Sequence, residues 1–126
     1  MQRQERSRKR VRVYNIADVP TVWLNKNFSR RIIKGDRMTI TWATFKKNFV
    51  PAHKHDDNEM VSIILKGSIT FGINGRKIVV KKGEAILIPP GVMHSAATSE
   101  DTIELCCFAP PRARKSFPDK NPLLTK

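Results

Sequence analysis

Short β-branched and aromatic runs between closely spaced turn signals limit what this chain can fold into more than any other feature of its sequence. Residues 38–46 are rich in β-branched and aromatic types, and residues 68–73 alternate Ile and Phe with Ser, Thr and Gly. The second pattern has the two-residue period of a half-buried strand. Asn74-Gly75 follows, a dipeptide that favours a type I′ hairpin turn because both of its positions need positive φ. The sequence therefore predicts strands rather than helices at its centre.

Three more strands are predicted after this turn. Residues 76–80 form the return strand, residues 84–88 form the next one, and residues 101–108 form the last. The strand at 84–88 ends at Pro89-Pro90-Gly91, because proline cannot donate to a sheet ladder. No segment of similar length has a 3.6-residue apolar period. A chain of 126 residues fits one domain, and many short strands predict an all-β sandwich or small barrel of the jelly-roll type.

The net positive charge is concentrated at the two ends of the chain. Residues 1–12 carry six basic groups and one acid, and residues 111–126 carry five and one, so the ends hold nine of the 13 net charges. We interpret residues 1–12 as a basic N-terminal arm, residues 13–112 as the barrel domain and residues 113–126 as a basic tail. Between the arms there is no nucleic-acid motif. Nucleic acid is therefore not an expected partner, although basic ends can bind polyanions.

Other patterns indicate a protein of a reducing compartment. No stretch approaches the roughly 18 apolar residues of a membrane span, and no apolar segment follows the basic N-terminus as in a secretory signal. Cys106 and Cys107 are neighbours, so on a strand they point to opposite faces and a mutual disulfide is disfavoured. We therefore expect no contact with a membrane and a cytoplasmic location.

The three histidines of the chain all lie beside predicted strand ends. His53 and His55 are two residues apart, so on a strand both imidazoles project from the same face, about 6–7 Å apart along the chain. His94 follows the Pro-Pro-Gly turn, where a strand end can bring a third imidazole across a barrel. Single histidines most often satisfy local hydrogen bonds, but three in these positions indicate a site for one divalent metal ion.

Two segments resemble the sequence motifs of the cupin superfamily. "HKHDDNEMVSIILKG" (residues 53–67) is similar to the first motif, and "GEAILIPPGVMH" (residues 83–94) is similar to the second. Within the superfamily the chain looks most like the single-domain KdgF-type cupins of pectin degradation, because "CCFAPPR" (residues 106–112) is similar to their Asp-x-Phe-x-Pro-Pro-Arg segment. The resemblance implies a double-stranded β-helix (a jelly-roll barrel), a homodimer, and a divalent metal held by His53, His55 and His94. It also implies a role in converting an unsaturated uronate into a linear keto sugar.

The position of the usual fourth ligand, Gln or Glu in the superfamily, departs from the pattern. Counting back from Gly67 gives Met60, whereas counting forward from His55 can give Glu59, and neighbours on a strand face opposite ways. A thioether is a weak, soft ligand that suits copper better than iron, manganese, nickel or zinc. Met60 as a ligand, Glu59 as a ligand, and a three-histidine site with Met60 merely packed all remain open, as does the identity of the metal.

A second departure affects the chemistry. Cys106 stands where the family has an acid, while Phe108 and Arg112 are retained. Cys106 is a candidate catalytic residue if positive charge from a metal or Arg112 stabilises its thiolate, and otherwise a small core residue. Arg112 is a candidate to hold a substrate carboxylate, with Phe108 and Trp42 as further candidate substrate contacts. We expect Trp42 and Phe45 to fill the barrel or its mouth.

Three functions are compatible with these residues. The first is a metal-dependent isomerase or lyase acting on a small polar or anionic metabolite such as an unsaturated uronate. The second is a metal-dependent dioxygenase, because a three-histidine centre with open positions can bind both substrate and dioxygen. The third is a non-catalytic cupin that binds a sugar or another small ligand, which the loss of both the Gln/Glu and the Asp makes more plausible.

Overall fold

The structure, a computed structural model, describes residues 10–111 and is built almost entirely of strands. A single 3₁₀ turn at Ile16–Asp18 precedes them. The strands are β1 (Thr21–Asn25), β2 (Phe28–Lys34), β3 (Thr39–Phe45), β4 (Asn48–His53), β5 (Glu59–Lys66), β6 (Ser68–Ile73), β7 (Arg76–Lys81), β8 (Ala85–Ile88), β9 (His94–Thr98) and β10 (Thr102–Ala109). The all-β prediction is confirmed, and within residues 10–111 no helix is long and apolar enough to cross a membrane.

The strands form two antiparallel sheets that enclose one interior. The larger sheet has the order β1-β2-β3-β10-β5-β8, and the smaller has the order β4-β9-β6-β7. The chain passes repeatedly from one sheet to the other, so strands far apart in sequence become neighbours, as β10 does between β3 and β5. This is the topology of a double-stranded β-helix, the predicted fold class.

The hairpin predicted at Asn74-Gly75 is present between β6 and β7. Asn74 has φ of 53° and Gly75 has φ of 75°, as a type I′ turn requires at both of its central positions. The turn fixes the register of the hairpin, in which Ile73 pairs with Arg76 and Phe71 pairs with Ile78. Alternation from this register sends Phe71 into the core, where it is buried together with Ile69.

The interior of the barrel is partly polar. Phe28 and Phe45 stack in it with ring centroids 4.2 Å apart, so the prediction that Phe45 fills the barrel is correct. Inward positions of the larger sheet also carry buried side chains that can form hydrogen bonds or hold charge, namely Arg30, Thr39, Thr41, Ser62, Thr102 and Glu104. Burying a polar group costs free energy unless the group has a hydrogen-bond partner. A set of polar side chains in the interior therefore indicates a cavity that can bind a polar ligand.

The predicted arms fall largely beyond the described part of the chain. Strands occupy the range from Thr21 to Ala109, which lies inside the predicted barrel domain of residues 13–112. The basic arm of residues 1–12, apart from its last residues, and the tail of residues 113–126 are outside the described residues, as is Arg112. Their predicted roles therefore stay predictions.

Candidate metal centre

Two strand ends and one turn bring the three histidines together. His53 ends β4, His94 begins β9, and the two residues are register partners in the smaller sheet. His55 follows two residues after His53, and its backbone carbonyl accepts a hydrogen bond of 2.9 Å from the N–H of Gly91, in the Pro-Pro-Gly turn. The three ring centroids lie 4.4–5.4 Å apart, and one nitrogen from each ring lies within 4.8 Å of the others.

Backbone carbonyls orient two of these rings. The Nδ1 atom of His53 lies 2.8 Å from the carbonyl oxygen of Pro51, and the Nδ1 atom of His94 lies 3.0 Å from that of Val92. A carbonyl oxygen can only accept, so each Nδ1 donates, and the Nε2 atom of the neutral ring keeps its lone pair for a ligand. Metal-binding histidines are commonly oriented by this kind of hydrogen bond. The donor set therefore fits a divalent metal ion.

Strand alternation decides which residue of β5 faces the histidines. Met60 is 5% exposed and lines the same cavity, whereas its neighbour Glu59 is exposed. Met60 pairs with Phe108 of β10, and the Phe108 ring meets the His55 ring edge to face at 5.4 Å. The five residues His53, His55, His94, Met60 and Phe108 are called the histidine end of the cavity below. Of the two alternatives for a fourth ligand, only Met60 faces this end.

The cavity continues from the histidine end into the barrel. It has a volume of about 50 Å³, several times the roughly 10–15 Å³ that one water molecule needs by this measure. Its walls include Thr41 and Cys106, and beyond them Arg30 and Glu104. The cavity can therefore accept part of a small polar molecule as well as an ion.

Cys106 is buried in this wall and is held as a thiol. Burial raises the pKa of the Cys106 thiol well above its usual range, and the neighbouring Glu104 raises it further. Hydrogen bonds from Ser62 and Thr41 act in the opposite direction but are weaker influences. A thiol that stays protonated is neither a nucleophile nor a base. Cys106 faces the cavity, as a catalytic residue would, but its surroundings disfavour the thiolate on which a catalytic role depends.

Sequence reasoning missed two charged residues that the structure brings into the cavity. Arg30 is 4% exposed on β2, and Glu104 is 7% exposed on β10. A signal for Glu104 was present, because it stands in phase with Cys106 and Phe108 on a strand whose inward face is otherwise uncharged. Arg30 gave no such signal, because the sequence analysis did not identify β2 as a strand.

Trp42, like Glu59, is a predicted site residue that does not line the cavity. It alternates on β3 with the inward-facing Thr41 and Ala43, so its side chain leaves the opposite face of the sheet, where it is partly buried. It does not line the cavity, contrary to the expectation that it fills the barrel or its mouth and contacts substrate. The aromatic content of residues 38–46 predicted the strand correctly but did not reveal its inward face.

The fold and the site together define a class of protein: a small double-stranded β-helix with three histidines gathered at one end of its barrel. The family model described as "Cupin domain" matches residues 44–109, which include all three histidines. The chain belongs to the cupin family.

Comparison with individual proteins supports a likeness to the KdgF type. The chain is 30% identical over 101 residues to the pectin degradation protein KdgF of Dickeya dadantii, covering 76% of this chain and 92% of that protein. It is 33% identical over 72 residues to acireductone dioxygenase of Schizosaccharomyces pombe, covering 53% of this chain and 38% of that protein. The solved structure of KdgF from Halomonas sp. superposes with a TM-score of 0.68 at 20% identity, covering 74% of this chain and 89% of that one. At that identity the structural likeness shows the shared fold alone.

Proposed function

We propose that this protein is a metal-dependent cupin that converts a small anionic sugar acid, an unsaturated uronate, by isomerase or lyase chemistry. The observation that carries the proposal is the set of three imidazoles, two of them oriented by backbone carbonyls so that Nε2 is free for a ligand. The similarity to the KdgF of Dickeya dadantii over three quarters of the chain supports the substrate class.

His53, His55 and His94 would hold one divalent ion, with Met60 or water completing its surroundings. Such an ion, when bound, polarises a carbonyl or enolate oxygen of the substrate. The three imidazoles and the thioether are neutral donors, so nothing in this set offsets the charge of the ion, which favours an anionic ligand. Nitrogen donors suit iron, manganese, nickel, zinc and copper alike, so the proposal covers these five metals.

The remaining residues of the cavity would bind and orient the sugar acid. The Phe108 ring beside His55 offers an apolar face at the histidine end, and the hydroxyl group of Thr41 offers a hydrogen bond deeper in the barrel. Arg112, outside the described residues, would hold the substrate carboxylate with its planar guanidinium group. These groups bind the sugar but do not move a proton.

The experiment measures turnover and metal content in the same samples. The chain is prepared without a histidine tag, loaded with each of the five metals in turn, and mixed with unsaturated galacturonate, whose C=C absorbance is lost on conversion. We expect His94→Ala to lower metal affinity at least tenfold and to remove turnover, because each imidazole contributes one bond to the ion.

Met93→Ala is the matched control, because Met93 is the exposed neighbour of His94 and should change neither quantity. Native protein that neither binds nor converts uronates with any of the five metals would contradict the proposal. Tight binding without turnover would instead support a non-catalytic sugar-binding cupin.

Dioxygenase activity is the second candidate function. The similarity to acireductone dioxygenase covers 53% of this chain, and a three-histidine centre leaves positions for both substrate and dioxygen. Oxygen consumption by the iron- or nickel-loaded protein in the presence of an enediol substrate, with none by His94→Ala, would favour this candidate over the uronate reaction. Conversion of the uronate under anaerobic conditions would favour the first.

A homodimer is the proposed assembly. The outer face of the larger sheet exposes apolar side chains, among them Leu87, which is 57% exposed and pairs with Val61. Exposed apolar groups that are neighbours on one face are typical of protein interfaces. Sedimentation of the native chain as a dimer, and of Leu87→Lys as a monomer, would support this face as the interface.

A further inference from the structure

The cavity contains an acidic side chain that the metal site does not use. Glu104 lies in the middle of β10, in phase with Cys106 and Phe108, and lines the same cavity as the three histidines. It is buried in the barrel interior, where an ionised carboxylate is expensive unless other groups compensate it. A carboxyl group retained in such a position needs a structural or chemical reason.

The strand register gives this carboxyl a defined setting. Ala43 of β3 pairs with Glu104 on one side and with Arg30 on the other, and the three residues are called the charged row. Because alanine is small, the two long side chains can share the space above it. Burial raises the pKa of the Glu104 carboxyl group, and the positive charge of Arg30 opposes that rise.

The carboxyl group points from the charged row toward the histidine end. Ser62 pairs with Cys106, one row nearer the histidines, and its hydroxyl donates a hydrogen bond of 2.5 Å to Oε2 of Glu104. The Cys106 side chain is hydrogen-bonded to the same carboxyl. Successive inward rows lie about 7 Å apart, and the next row holds Met60 and Phe108. The carboxyl group therefore lies about one row below the histidine end.

Opposing influences act on the protonation of Glu104. Burial is the largest and raises its pKa, while hydrogen bonds from Ser62 and Cys106 and the charge of Arg30 lower it. Among residues 10–111, the charged or titratable groups that act on it are Arg30 from β2 and Cys106 from its own strand, and the three histidines line the same cavity further along. Burial stabilises the protonated form and the partners stabilise the anion, so each protonation state of this carboxyl group has support in the cavity, as an acid–base residue requires.

We propose that Glu104 is the proton-transfer residue of the cavity, in place of the acid that is absent at position 106. This inference rests on the proposed uronate reaction. The carboxylate takes the proton of the hemiacetal hydroxyl group, whose O–H electrons form the aldehyde C=O bond as the ring C–O bond breaks. The ring oxygen leaves as the oxygen of an enolate, and the enolate carbon takes the proton back from Glu104 to give the ketone. The step needs no oxidant or reductant, and the carboxylate is regenerated.

The kinetic test compares three variants in metal-loaded protein. Glu104→Gln keeps the size and one acceptor oxygen for Ser62 but cannot carry the proton, and we expect kcat to fall about 10²- to 10⁴-fold with KM and metal content close to native. Glu104→Asp, which keeps the acid on a shorter stem, should recover part of the loss. Glu100→Gln is the control, because Glu100 is an exposed acid bonded to Ser68 just before β10, and its kcat should equal that of the native chain. A near-native kcat in Glu104→Gln would overturn the inference.

A second measurement does not depend on turnover. Infrared difference spectra between native protein and Glu104→Gln isolate the Glu104 carboxyl band, recorded between about pH 5 and about pH 9 with and without saturated galacturonate. We expect the band to shift when the sugar acid enters the cavity, because the carboxyl group then changes its hydrogen bonding or its protonation. A carboxyl group that keeps one state throughout and ignores the ligand would overturn the inference, even if native protein converts the uronate. If the band responds but the uronate is not converted, the proposed function fails and the proton-transfer role stands.

Discussion

Arg30 and Glu104 of the charged row line the same cavity as the histidine end, but the two groups are assembled from residues at very different separations along the sequence. At the histidine end, His53 and His55 are two residues apart, and His94 meets them through one strand pairing and one turn. The charged row joins Arg30, Ala43 and Glu104 from three strands, and its members are up to 74 residues apart in the chain.

The comparison shows that the two regions differ in chemistry, which is why we assign ion binding to one and proton transfer to the other in the proposals above. Neutral nitrogen donors oriented by backbone carbonyls suit an ion, whereas a buried carboxyl group near an arginine suits a proton. The two regions also differ in how they tolerate change. Loss of an imidazole at the histidine end removes a ligand, whereas loss of one charge in the interior leaves the other charge less well compensated.

The largest expected effect on stability comes from the charged row. Arg30→Met removes the positive charge but keeps an apolar stem of similar length. The free energy of unfolding should fall by about 2 kcal/mol at pH values where Glu104 is ionised, because the buried carboxylate then loses a nearby compensating charge. Urea denaturation at fixed pH measures this.

The double variant Arg30→Met, Glu104→Leu provides the control for that experiment. It removes both charges, so most of the lost stability should return. An Arg30→Met chain as stable as native protein, or a double variant no more stable than Arg30→Met alone, would show that the two charges do not depend on each other.

A smaller effect, a gain in metal affinity, is expected at the histidine end. Met60→Gln places an amide oxygen where the thioether now faces the three imidazoles, and oxygen donors suit manganese, iron and zinc better than sulfur from methionine does. Affinity for Mn²⁺ should rise about tenfold, equivalent to about 1.4 kcal/mol, as measured by competition with a chelating dye. Met93→Gln, at an exposed methionine, should leave affinity unchanged. No gain in Met60→Gln would mean that position 60 does not face the ion.

The smallest expected effect is a change in the pH dependence of stability. Burial raises the pKa of Glu104 in the folded chain, so between its unfolded value, about 4.3, and its folded value the folded state binds more protons than the unfolded state. Stability should therefore fall as pH rises through this window and level off above the folded pKa. In Glu104→Gln this decrease in stability should be absent. The two chains should differ by the uptake of at most one proton.

Metal-free protein and the Glu100→Gln control allow this difference to be assigned to Glu104. Thermal melts of metal-free native protein, Glu104→Gln and Glu100→Gln, measured from about pH 4 to about pH 8, provide the comparison. If native protein gains stability over this window relative to Glu104→Gln, the carboxyl group is stabilised mainly as the anion and burial is not the dominant influence.

Local patterns predicted the all-β class and the grouping of the three histidines, and the resemblance to the cupin motifs supplied the double-stranded β-helix. Alternation in residues 68–73, positive φ at Asn74-Gly75 and the two-residue spacing of the first two histidines are all properties of adjacent residues. The strands β2 and β9 gave weaker signals, because Phe28–Lys34 contains three basic residues and His94–Thr98 is made mostly of small ones. Their place in the barrel comes from pairing with distant strands.

The inward face of each strand was the part that sequence could not supply. Trp42 was expected at the mouth of the barrel and lies on the outer face, whereas Arg30 was not expected in the interior and is buried there. Both outcomes follow from register, since a shift of one residue moves a side chain to the opposite face. The choice between Glu59 and Met60 was open for the same reason, and the alternation of β5 turned Met60 inward.

Anomalous diffraction from a crystal of the manganese- or zinc-loaded chain would test the central claim most directly. The predicted result is one peak per chain at the histidine end, about 2.0–2.2 Å from an imidazole nitrogen of each of His53, His55 and His94. For His53 and His94 that nitrogen should be Nε2, because their Nδ1 atoms are hydrogen-bonded to the carbonyls of Pro51 and Val92. A peak bound by fewer than three of these imidazoles, or one reached through Nδ1 of His53 or His94 with those hydrogen bonds broken, would contradict the account.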